Sequence, residues 1–228
     1  MLIFIDKKIP EQAKDKLAKY GEIVELASKD ITYNAISGHP DIFLSKTSEN
    51  IFIVAPNAPE IIFQKFSEYN KEYVKGIDKV GKEYPFTALY NAVFTDSLFI
   101  HNFKISDFSL INAGKNKEHI SIRQGYCRCN LISLHDKAFI TSDPGIYKEL
   151  KGREFHVLLV KTEGILLEDF RYGFFGGTCG IIDDKLLIIG SLKYYKDGDE
   201  VKNFVKKMGL NIVELYDGLL FDGGGIIS

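Results

Sequence analysis

The sequence predicts an α/β fold of five repeated units that close into a ring, an α/β propeller of ββαβ units with pseudo-fivefold symmetry. Short apolar runs open the units at spacings of 49, 47, 40 and 48 residues, and passing from the last run through the C-terminus to the first gives 44. A period that also holds across the termini favours a closed ring. The runs are LIFI at Leu2, IFIV at Ile51, LFIH at Leu98, AFIT at Ala138 and LLII at Leu186.

Each run is followed by signals that start and stop a helix. A proline or a side-chain acceptor stands at the start, and a glycine often stands at the end. One helix per unit is therefore expected. The segments are EQAKDKLAKY after Pro10, EIIFQKFSEYN after Pro59, FSLINAG after Asp107, GIYKELKG after Pro144 and EVKNFVKKMG after Asp199.

A second apolar strand follows each helix signal. The tetrapeptide IVEL occurs in the first and the last of these strands, at Ile23 and Ile212, which is direct evidence of repetition. The five segments are GEIVELA, KEYVKGI, HISIRQG, FHVLLVK and LNIVELY.

A third strand precedes four of the units, in the segments HPDIFLS, YNAVFT, CNLIS and CGIID. The first unit lacks one, and GGGIIS at the C-terminus is left over. We expect GGGIIS to pair with the N-terminal strand, so that the two ends close the ring. The alternative is an ordinary α/β sheet whose alternating pattern only looks periodic.

The bulk properties predict one compact domain over residues 1–228. The chain is 45% hydrophobic and carries a formal net charge of -2, with the charges spread along the sequence. These values give no electrostatic case for binding nucleic acid or an anionic membrane, and the apolar runs are too short to span a bilayer. We expect a cytoplasmic protein with a small-molecule partner; the oligomeric state stays open. Three cysteines without a secretory signal are typical of thiols or ligands rather than disulfides.

Reactive residue types are concentrated in the turns where the extra strands begin. A ring places equivalent turns around one axis, so their side chains are expected to meet. Histidine, aspartate and all three cysteines occur there. The turns are GHPD (38–41), ALYN (88–91), GYCRCN (125–130), GGTCG (176–180) and FDGGG (221–225).

These turns, in fivefold ββαβ units, resemble the pentein or guanidino-group-modifying superfamily, in a bacterial branch. The superfamily includes arginine deiminases, agmatine deiminases and dimethylarginine dimethylaminohydrolases. The resemblance implies that His39 is a general acid/base, that Asp41 faces the substrate, and that Cys129 is the nucleophile. Cys127 is the second choice as nucleophile and Cys179 a further catalytic candidate. The remaining substrate-binding candidates are Asn91, Arg128, Asn130 and Asp222.

The implied function is a cysteine-dependent hydrolase or transferase that acts on an amidine or guanidine-like small molecule without a cofactor. A thiolate needs a cationic or hydrogen-bonding neighbour, a role expected of Arg128 and His39. The family's other acidic turns are replaced here by GGTCG and DGGG, and GGGIIS lacks the family's terminal cysteine. With Asp41 as the only carboxylate in register, we expect a less cationic substrate than arginine.

Two other classes of function use the same residues. Cys127, Cys129, Cys179 and His39 form a Cys3His set suited to zinc. A non-catalytic binding or scaffold protein, such as translation initiation factor 6, shares the fold. Cys127 and Cys129 alternate with Tyr126 and Arg128, so strand periodicity predicts that both thiols face the same way.

Overall fold

A computed structural model describes residues 1–47 and 51–228 and shows a mixed α/β fold. Within these residues the strands form small separate sheets of two or three strands rather than one continuous sheet. The strands are β1 Leu2–Asp6, β2 Glu22–Leu26, β3 Leu44–Lys46, β4 Phe52–Val54, β5 Tyr73–Lys75, β6 Val93–Phe94, β7 Leu98–His101, β8 Glu118–Ser121, β9 Leu131–His135, β10 Ala138–Thr141, β11 His156–Leu159, β12 Ile165–Leu166, β13 Cys179–Ile182, β14 Lys185–Ile188, β15 Asn211–Glu214 and β16 Leu220–Phe221.

The helices are α1 Glu11–Leu17, α2 Pro40–Phe43, α3 Glu60–Glu68, α4 Phe108–Ala113, α5 Cys127–Asn130, α6 Pro144–Lys151 and α7 Gly198–Lys207. In the described part of the chain, α1, α3, α4, α6 and α7 each lie between two strands that pair in parallel, as the start and stop signals predicted, whereas α2 and α5 are short turns before a first strand. Two of the helices are capped by aspartate: Asp107 accepts a hydrogen bond from the amide of Ser109 and Asp143 from that of Ile146. In the longest helix, Val201 and Val205 lie one turn apart and are buried.

Four of the sheets repeat one pairing pattern. The middle strand pairs antiparallel with the strand before it and parallel with the strand after the helix, as in β3-β4-β5, β6-β7-β8, β9-β10-β11 and β13-β14-β15. The first sheet has the parallel pair β1-β2. Its antiparallel neighbour is the C-terminal segment, where the Phe4 amide donates to the Ile227 carbonyl at 2.7 Å and the Ile227 amide to the Phe4 carbonyl at 3.2 Å.

The middle strands lie in the core. Residues of β1, β4, β7 and β10 are all buried. The first strands of successive sheets contact one another in the order β3, β6, β9 and β13. The C-terminal segment continues this series, since the Ile226 amide donates to the Cys179 carbonyl at 3.2 Å.

A short helical turn precedes several first strands where the sequence predicted extended chain. Pro40 occupies the first helical position of α2, where its missing N–H costs no hydrogen bond. Residues two apart in a helical turn point in nearly opposite directions. The prediction that Cys127 and Cys129 face the same way is therefore wrong, because both belong to α5.

An additional sheet was not predicted. β12 pairs in parallel with β16, and the amide of Asp222, directly after β16, donates to the Leu166 carbonyl at 2.8 Å. This pairing fixes the chain immediately before the glycine-rich turn. No helix among residues 1–47 and 51–228 has the length and hydropathy that a bilayer crossing requires.

Candidate functional site

A thiol, a carboxyl and an imidazole meet where the helical turns converge. The Cys129 Sγ lies 2.8 Å from Asp41 Oδ2 as a hydrogen-bond donor. Ligand-type atoms of His39, Asp41 and Cys129 all lie within 4.8 Å of one another. The three side chains are buried. Together with Asn91, Asp222 and Asp6, which are described next, they form what we call the central cluster.

Asn91 holds the thiol and its neighbours in position. Its side-chain Nδ2 donates to the Cys129 Sγ at 3.3 Å and to the Asp41 carbonyl at 3.1 Å. Its Oδ1 accepts from the Cys129 amide at 3.1 Å. One amide side chain therefore links the turn that carries Asp41 to the turn that carries Cys129.

Asp222 adds a second carboxyl from the glycine-rich turn. Its oxygens accept hydrogen bonds from the Phe174 amide at 2.8 Å and the Gly224 amide at 3.1 Å. Gly224 has a φ of +68° and lies against His39, so that a Cβ there would come within 2.4 Å of the His39 Cβ. Only glycine combines this backbone angle with this approach.

Asp6 is a third carboxyl, which the sequence reasoning missed. It ends β1, and its Oδ1 accepts from the Lys8 amide at 2.8 Å, which aims Oδ2 towards His39. That Oδ2 lies 3.8 Å from His39 Nε2. The signal that could have identified Asp6 was its position at the end of a buried strand. That strand lies beside the turn that carries His39.

Several buried polar atoms of the central cluster have no hydrogen-bond partner among the residues that the structure describes. They are Asp6 Oδ2, His39 Nδ1 and Asp41 Oδ1. Buried polar groups are normally paired, and leaving one unpaired costs roughly 1–3 kcal/mol. The cluster is therefore arranged to accept another polar group.

Burial sets the protonation of the cluster. It raises the pKa of Asp6 and of Asp41 to about 6 and that of Asp222 to about 7. It lowers the pKa of His39 to about 3, with the charge of Lys8 acting in the same direction. Burial, followed by the charge of Asp41, raises the pKa of Cys129 well above its usual value. At neutral pH the imidazole is neutral and the thiol is protonated.

One family model matches nearly the whole chain. A family model described as a family of unknown function, DUF6873, matches residues 4–227. The chain belongs to this family. No curated protein matches the sequence.

Solved structures with the same fold are distant in sequence from this DUF6873 member. Agmatine deiminase from C. jejuni is 10% identical, with a TM-score of 0.59 over 94% of this chain and 87% of that chain. A dimethylarginine dimethylaminohydrolase mutant from Pseudomonas aeruginosa, complexed with citrulline, is 9% identical, with a TM-score of 0.57 over 93% and 91% of the two chains. Inosamine-phosphate amidinotransferase from Streptomyces griseus is 11% identical, with a TM-score of 0.53 over 90% and 74%. The DUF6873 chain has the pentein fold.

The structure of the DUF6873 chain separates the three cysteines. The Cys127 thiol donates to the Ile100 carbonyl at 3.4 Å, and the Cys179 thiol contacts the Phe175 carbonyl at 3.5 Å. Each of these thiols lies in an apolar core, apart from the central cluster. The Cys3His zinc set is therefore not formed: among the described residues, the one group with metal-ligand spacing is His39, Asp41 and Cys129.

Arg128 and Asn130 take positions beside the cluster rather than in it. The Arg128 guanidinium donates to the carbonyls of Gly176 at 2.7 Å and Cys179 at 2.9 Å. The Asn130 side chain bonds to the Tyr126 carbonyl at 2.9 Å and to Ser142 at 3.1 Å. The pKa of Cys129 is raised rather than lowered as the sequence suggested, because burial and the charges of Asp41 and Asp222 dominate there.

The expectation of a single carboxylate is also wrong. Asp41 and Asp222 act on the same thiol, since the charge of Asp41 raises the pKa of Asp222 and both raise that of Cys129. Asp6 lies against His39, with its Oδ2 3.8 Å from His39 Nε2. In the sequence, Asp222 is out of register with the acidic positions of the resembled family. In the structure, the pairing of β16 with β12 places Asp222 beside the cluster. The physical reason for expecting a weakly cationic substrate therefore disappears.

Proposed function

We propose that the chain is a hydrolase or transferase that uses Cys129 as nucleophile on the carbon of an amidinium or guanidinium group. The observation that carries the proposal is the meeting of the Cys129 thiol, the His39 imidazole and the Asp41 carboxyl within 4.8 Å. The fold relatives support it, because two of them are named for the guanidino compounds agmatine and dimethylarginine and the third for the transfer of an amidino group.

The reaction follows from the chemistry of the three groups. The Cys129 sulfur forms a bond to the substrate carbon, and the thiol proton passes to the His39 imidazole, directly or through the Asp41 carboxylate that accepts its hydrogen bond. The C–N bond then breaks, and the amine leaves with a proton from His39. Water, activated by the same imidazole, or an acceptor amine attacks the carbon and releases the thiol.

A cationic substrate supplies the hydrogen-bond donors and the positive charge that the central cluster lacks in the free protein. Its N–H groups match the unpaired oxygens of Asp6 and Asp41. Its positive charge lowers the pKa of Cys129, because it offsets the carboxyl charges that raise it. Substrate binding and nucleophile activation are therefore one event, and a neutral isostere would achieve neither.

The repeated units support the ring predicted from the sequence, and we propose a single domain over residues 1–228 with five units around one axis. A small cleft of about 180 Å³ is lined by Ser45, Val93, Ile132, Ile181 and Ile227, which come from four first strands and the C-terminal segment. In this arrangement the amides of Phe4 and Ile227 exchange hydrogen only on global unfolding. Much faster exchange at Ile227 than at the middle of β1 would contradict it.

The test of function is a panel of guanidino and amidino compounds assayed for ammonia or amine release. Cys129→Ala and His39→Ala are expected to abolish turnover. Cys127→Ala and Cys179→Ala are matched controls, because they remove equally buried thiols outside the central cluster. Turnover that survives Cys129→Ala rejects the nucleophile, and no turnover on any compound favours the non-catalytic binding protein.

A second candidate function is zinc binding by His39, Asp41 and Cys129. It is favoured by His39 Nδ1 and Asp41 Oδ1, which have no partner among the described residues and are of the ligand types that zinc accepts. Cobalt added to the purified protein would then give tetrahedral absorption bands with a thiolate charge-transfer band, both lost in Cys129→Ser. Metal analysis of protein purified without chelators completes the test.

A further inference from the structure

The reactive side chains of the central cluster are closed off from solvent. Cys129 is 3% exposed, His39 2% and Asp41 1%. A substrate carbon therefore reaches the thiol only after some of the surrounding chain moves aside. The contacts between the surrounding loops indicate where this movement takes place.

Four loops lead into the turns that meet at the cluster, and each of them carries an aromatic side chain. Each loop comes before the first strand of the next sheet, β3, β6, β9 or β13. The aromatic residues are Tyr33 before His39, Tyr84 before Asn91, Tyr126 before Cys129 and Phe170 before the GGTCG turn. They are held together in two pairs.

The first pair is Tyr33 and Phe170. Their rings lie 5.8 Å apart. Lys8 ties the two loops together, because its Nζ bonds to the Asn34 carbonyl at 2.6 Å and to Glu168 Oε2 at 2.5 Å. Asn34 is next to Tyr33, and Glu168 is two residues before Phe170, so these two loops form one side of the entrance.

The second pair is Tyr84 and Tyr126. Their rings lie 6.0 Å apart. Thr87, on the same loop as Tyr84, has its Oγ1 2.6 Å from the Tyr126 hydroxyl. A short hydrogen bond and a ring contact therefore join these two loops into the other side of the entrance.

The two sides meet at the hydroxyls of Tyr33 and Tyr126, and we call this contact the tyrosine seam. The hydroxyl oxygens are 3.3 Å apart. Hydrogen bonds between oxygens are usually about 2.7–2.8 Å long and weaken with distance. The seam is therefore weaker than the 2.5 to 2.6 Å bonds that hold each side together, and it is the contact that parts at the lowest cost.

The tyrosine seam lies close to the nucleophile. Tyr126 is three residues before Cys129, and its carbonyl accepts a hydrogen bond from the Asn130 side chain at 2.9 Å. Burial raises the pKa of both phenols, and negative charge at Cys129 acts on each of them in the same direction. Both hydroxyls are thus within electrostatic reach of the thiol, while their rings are only half-buried.

We propose that the tyrosine seam is the gate of the central cluster: the Tyr33 and Tyr126 hydroxyls separate to admit the substrate to Cys129 and rejoin when it has left. The inference rests on the proposed function, since it takes Cys129 as the reacting group. Closing the seam keeps bulk water from the thiol, and opening it breaks one long hydrogen bond while the tied loops on each side move as units.

Labelling of Cys129 in the native full-length protein by two neutral thiol reagents of different size tests the gate. Iodoacetamide is the small reagent and N-phenylmaleimide the large one, and peptide mass mapping gives the rate at each cysteine. Tyr33→Phe and Tyr126→Phe keep the ring and remove the hydroxyl. Each variant is expected to raise the N-phenylmaleimide rate at Cys129 by ~3- to 10-fold, the factor by which losing one net hydrogen bond favours the open state.

The iodoacetamide rate is expected to rise less, because a small reagent needs a smaller opening. A change in the pKa of the thiol would instead alter both rates by the same factor, so the ratio of the two rates reports access. The matched control is Tyr195→Phe, which removes a buried hydroxyl that donates to the Lys161 carbonyl in another part of the core. This control is expected to change neither rate.

Unchanged labelling in both seam variants overturns the inference. An equal gain for the two reagents, or an equal gain in Tyr195→Phe or at Cys127, also overturns it, since these results indicate a shifted thiol pKa or a general loosening. None of these outcomes affects the proposed function, because neither reagent is an amidine. A gain confined to the seam variants, with no turnover of any guanidino or amidino compound, overturns the proposed function and leaves the seam as the entrance to Cys129.

Discussion

Asp107 and Asp41 are equally buried carboxyls in opposite situations. Asp107 accepts hydrogen bonds from the amides of Ile77, Asp78 and Ser109 and from the Tyr90 hydroxyl, at 2.7 to 2.9 Å. Burial acts to raise its pKa, but these donors outweigh burial and hold it below its usual value. Asp41 has one oxygen bonded to the Cys129 thiol and the other unpaired, and burial raises its pKa to about 6.

The difference teaches that burial alone does not identify a functional carboxyl. Asp107 has its donors supplied by the fold, so it tethers the chain around α4. Asp41 Oδ2 accepts only the Cys129 thiol and Oδ1 has no partner among the described residues, so its charge is well stabilised only when something else brings further donors. The two aspartates therefore separate a structural role from a binding role within one protein, and variants of both are the best probes of the proposal.

The largest expected effect is on activity. Asp41→Asn is expected to lower kcat/KM on an amidinium or guanidinium substrate by at least ~100-fold, because an amide offers no negative charge to the cation. Asp107→Asn is expected to change kcat/KM by less than ~3-fold in the folded protein. Similar losses in both variants would contradict the division of roles.

The order reverses for stability. Asp107→Asn is expected to lower the free energy of unfolding by roughly 2–4 kcal/mol, since an NH2 group would face donors that need an acceptor. Asp41→Asn is expected to raise it by about 1–3 kcal/mol at pH 8, because the neutral amide avoids burying a charge. Urea unfolding measures both values. A destabilised Asp41→Asn protein would show that Asp41 is structural.

The gain in Asp41→Asn is expected to depend on pH with a defined sign. The pKa of Asp41 is raised in the folded state, so the cost of its charge is absent below about pH 4 and complete above about pH 6 to 7. The stability difference between Asp41→Asn and wild type therefore grows from near zero at pH 4 to its full size at pH 7. A difference that is constant with pH would show that the pKa of Asp41 is not raised.

The smallest expected effect concerns access to the cluster. Lys8 and Glu168 are partly exposed, so Glu168→Gln is expected to leave the free energy of unfolding nearly unchanged. The same variant is expected to increase the alkylation rate of Cys129 in the native protein several-fold, since it loosens the loops that Lys8 ties together. Lys185, paired with Asp184 on the surface, gives a matched control in Asp184→Asn.

The sequence predicted the elements of the fold better than the assembly of the site. The apolar runs at Leu2, Leu98 and Ala138 begin strands β1, β7 and β10, because their periodicity and flanking signals are local. His39, Asp41 and Cys129 were identified from their turns. Local patterns did not predict that α5 is helical. Because α5 is a helical turn, the side chains of Cys127 and Cys129 point in different directions.

Asp6 and Asp222 depended on contacts distant in sequence. Asp6 reaches the cluster because β1 lies beside the turn of His39, and Asp222 because β16 pairs with β12. The sequence reasoning counted one carboxyl in register for this reason, and on that count it favoured a less cationic substrate. Non-local strand pairing, rather than residue type, decided the electrostatics of the site.

The most direct test of the central claim is the alkylation of the native protein by chloroacetamidine and by chloroacetamide, followed by peptide mass mapping. The two reagents have nearly the same size, but only the amidine is cationic. If the cluster binds an amidinium beside the nucleophile, chloroacetamidine labels Cys129 at least ~10-fold faster than chloroacetamide does, leaves Cys127 and Cys179 unlabelled, and loses its advantage in Asp41→Asn. Equal rates for the two reagents, or labelling of Cys127 or Cys179 ahead of Cys129, would contradict the account.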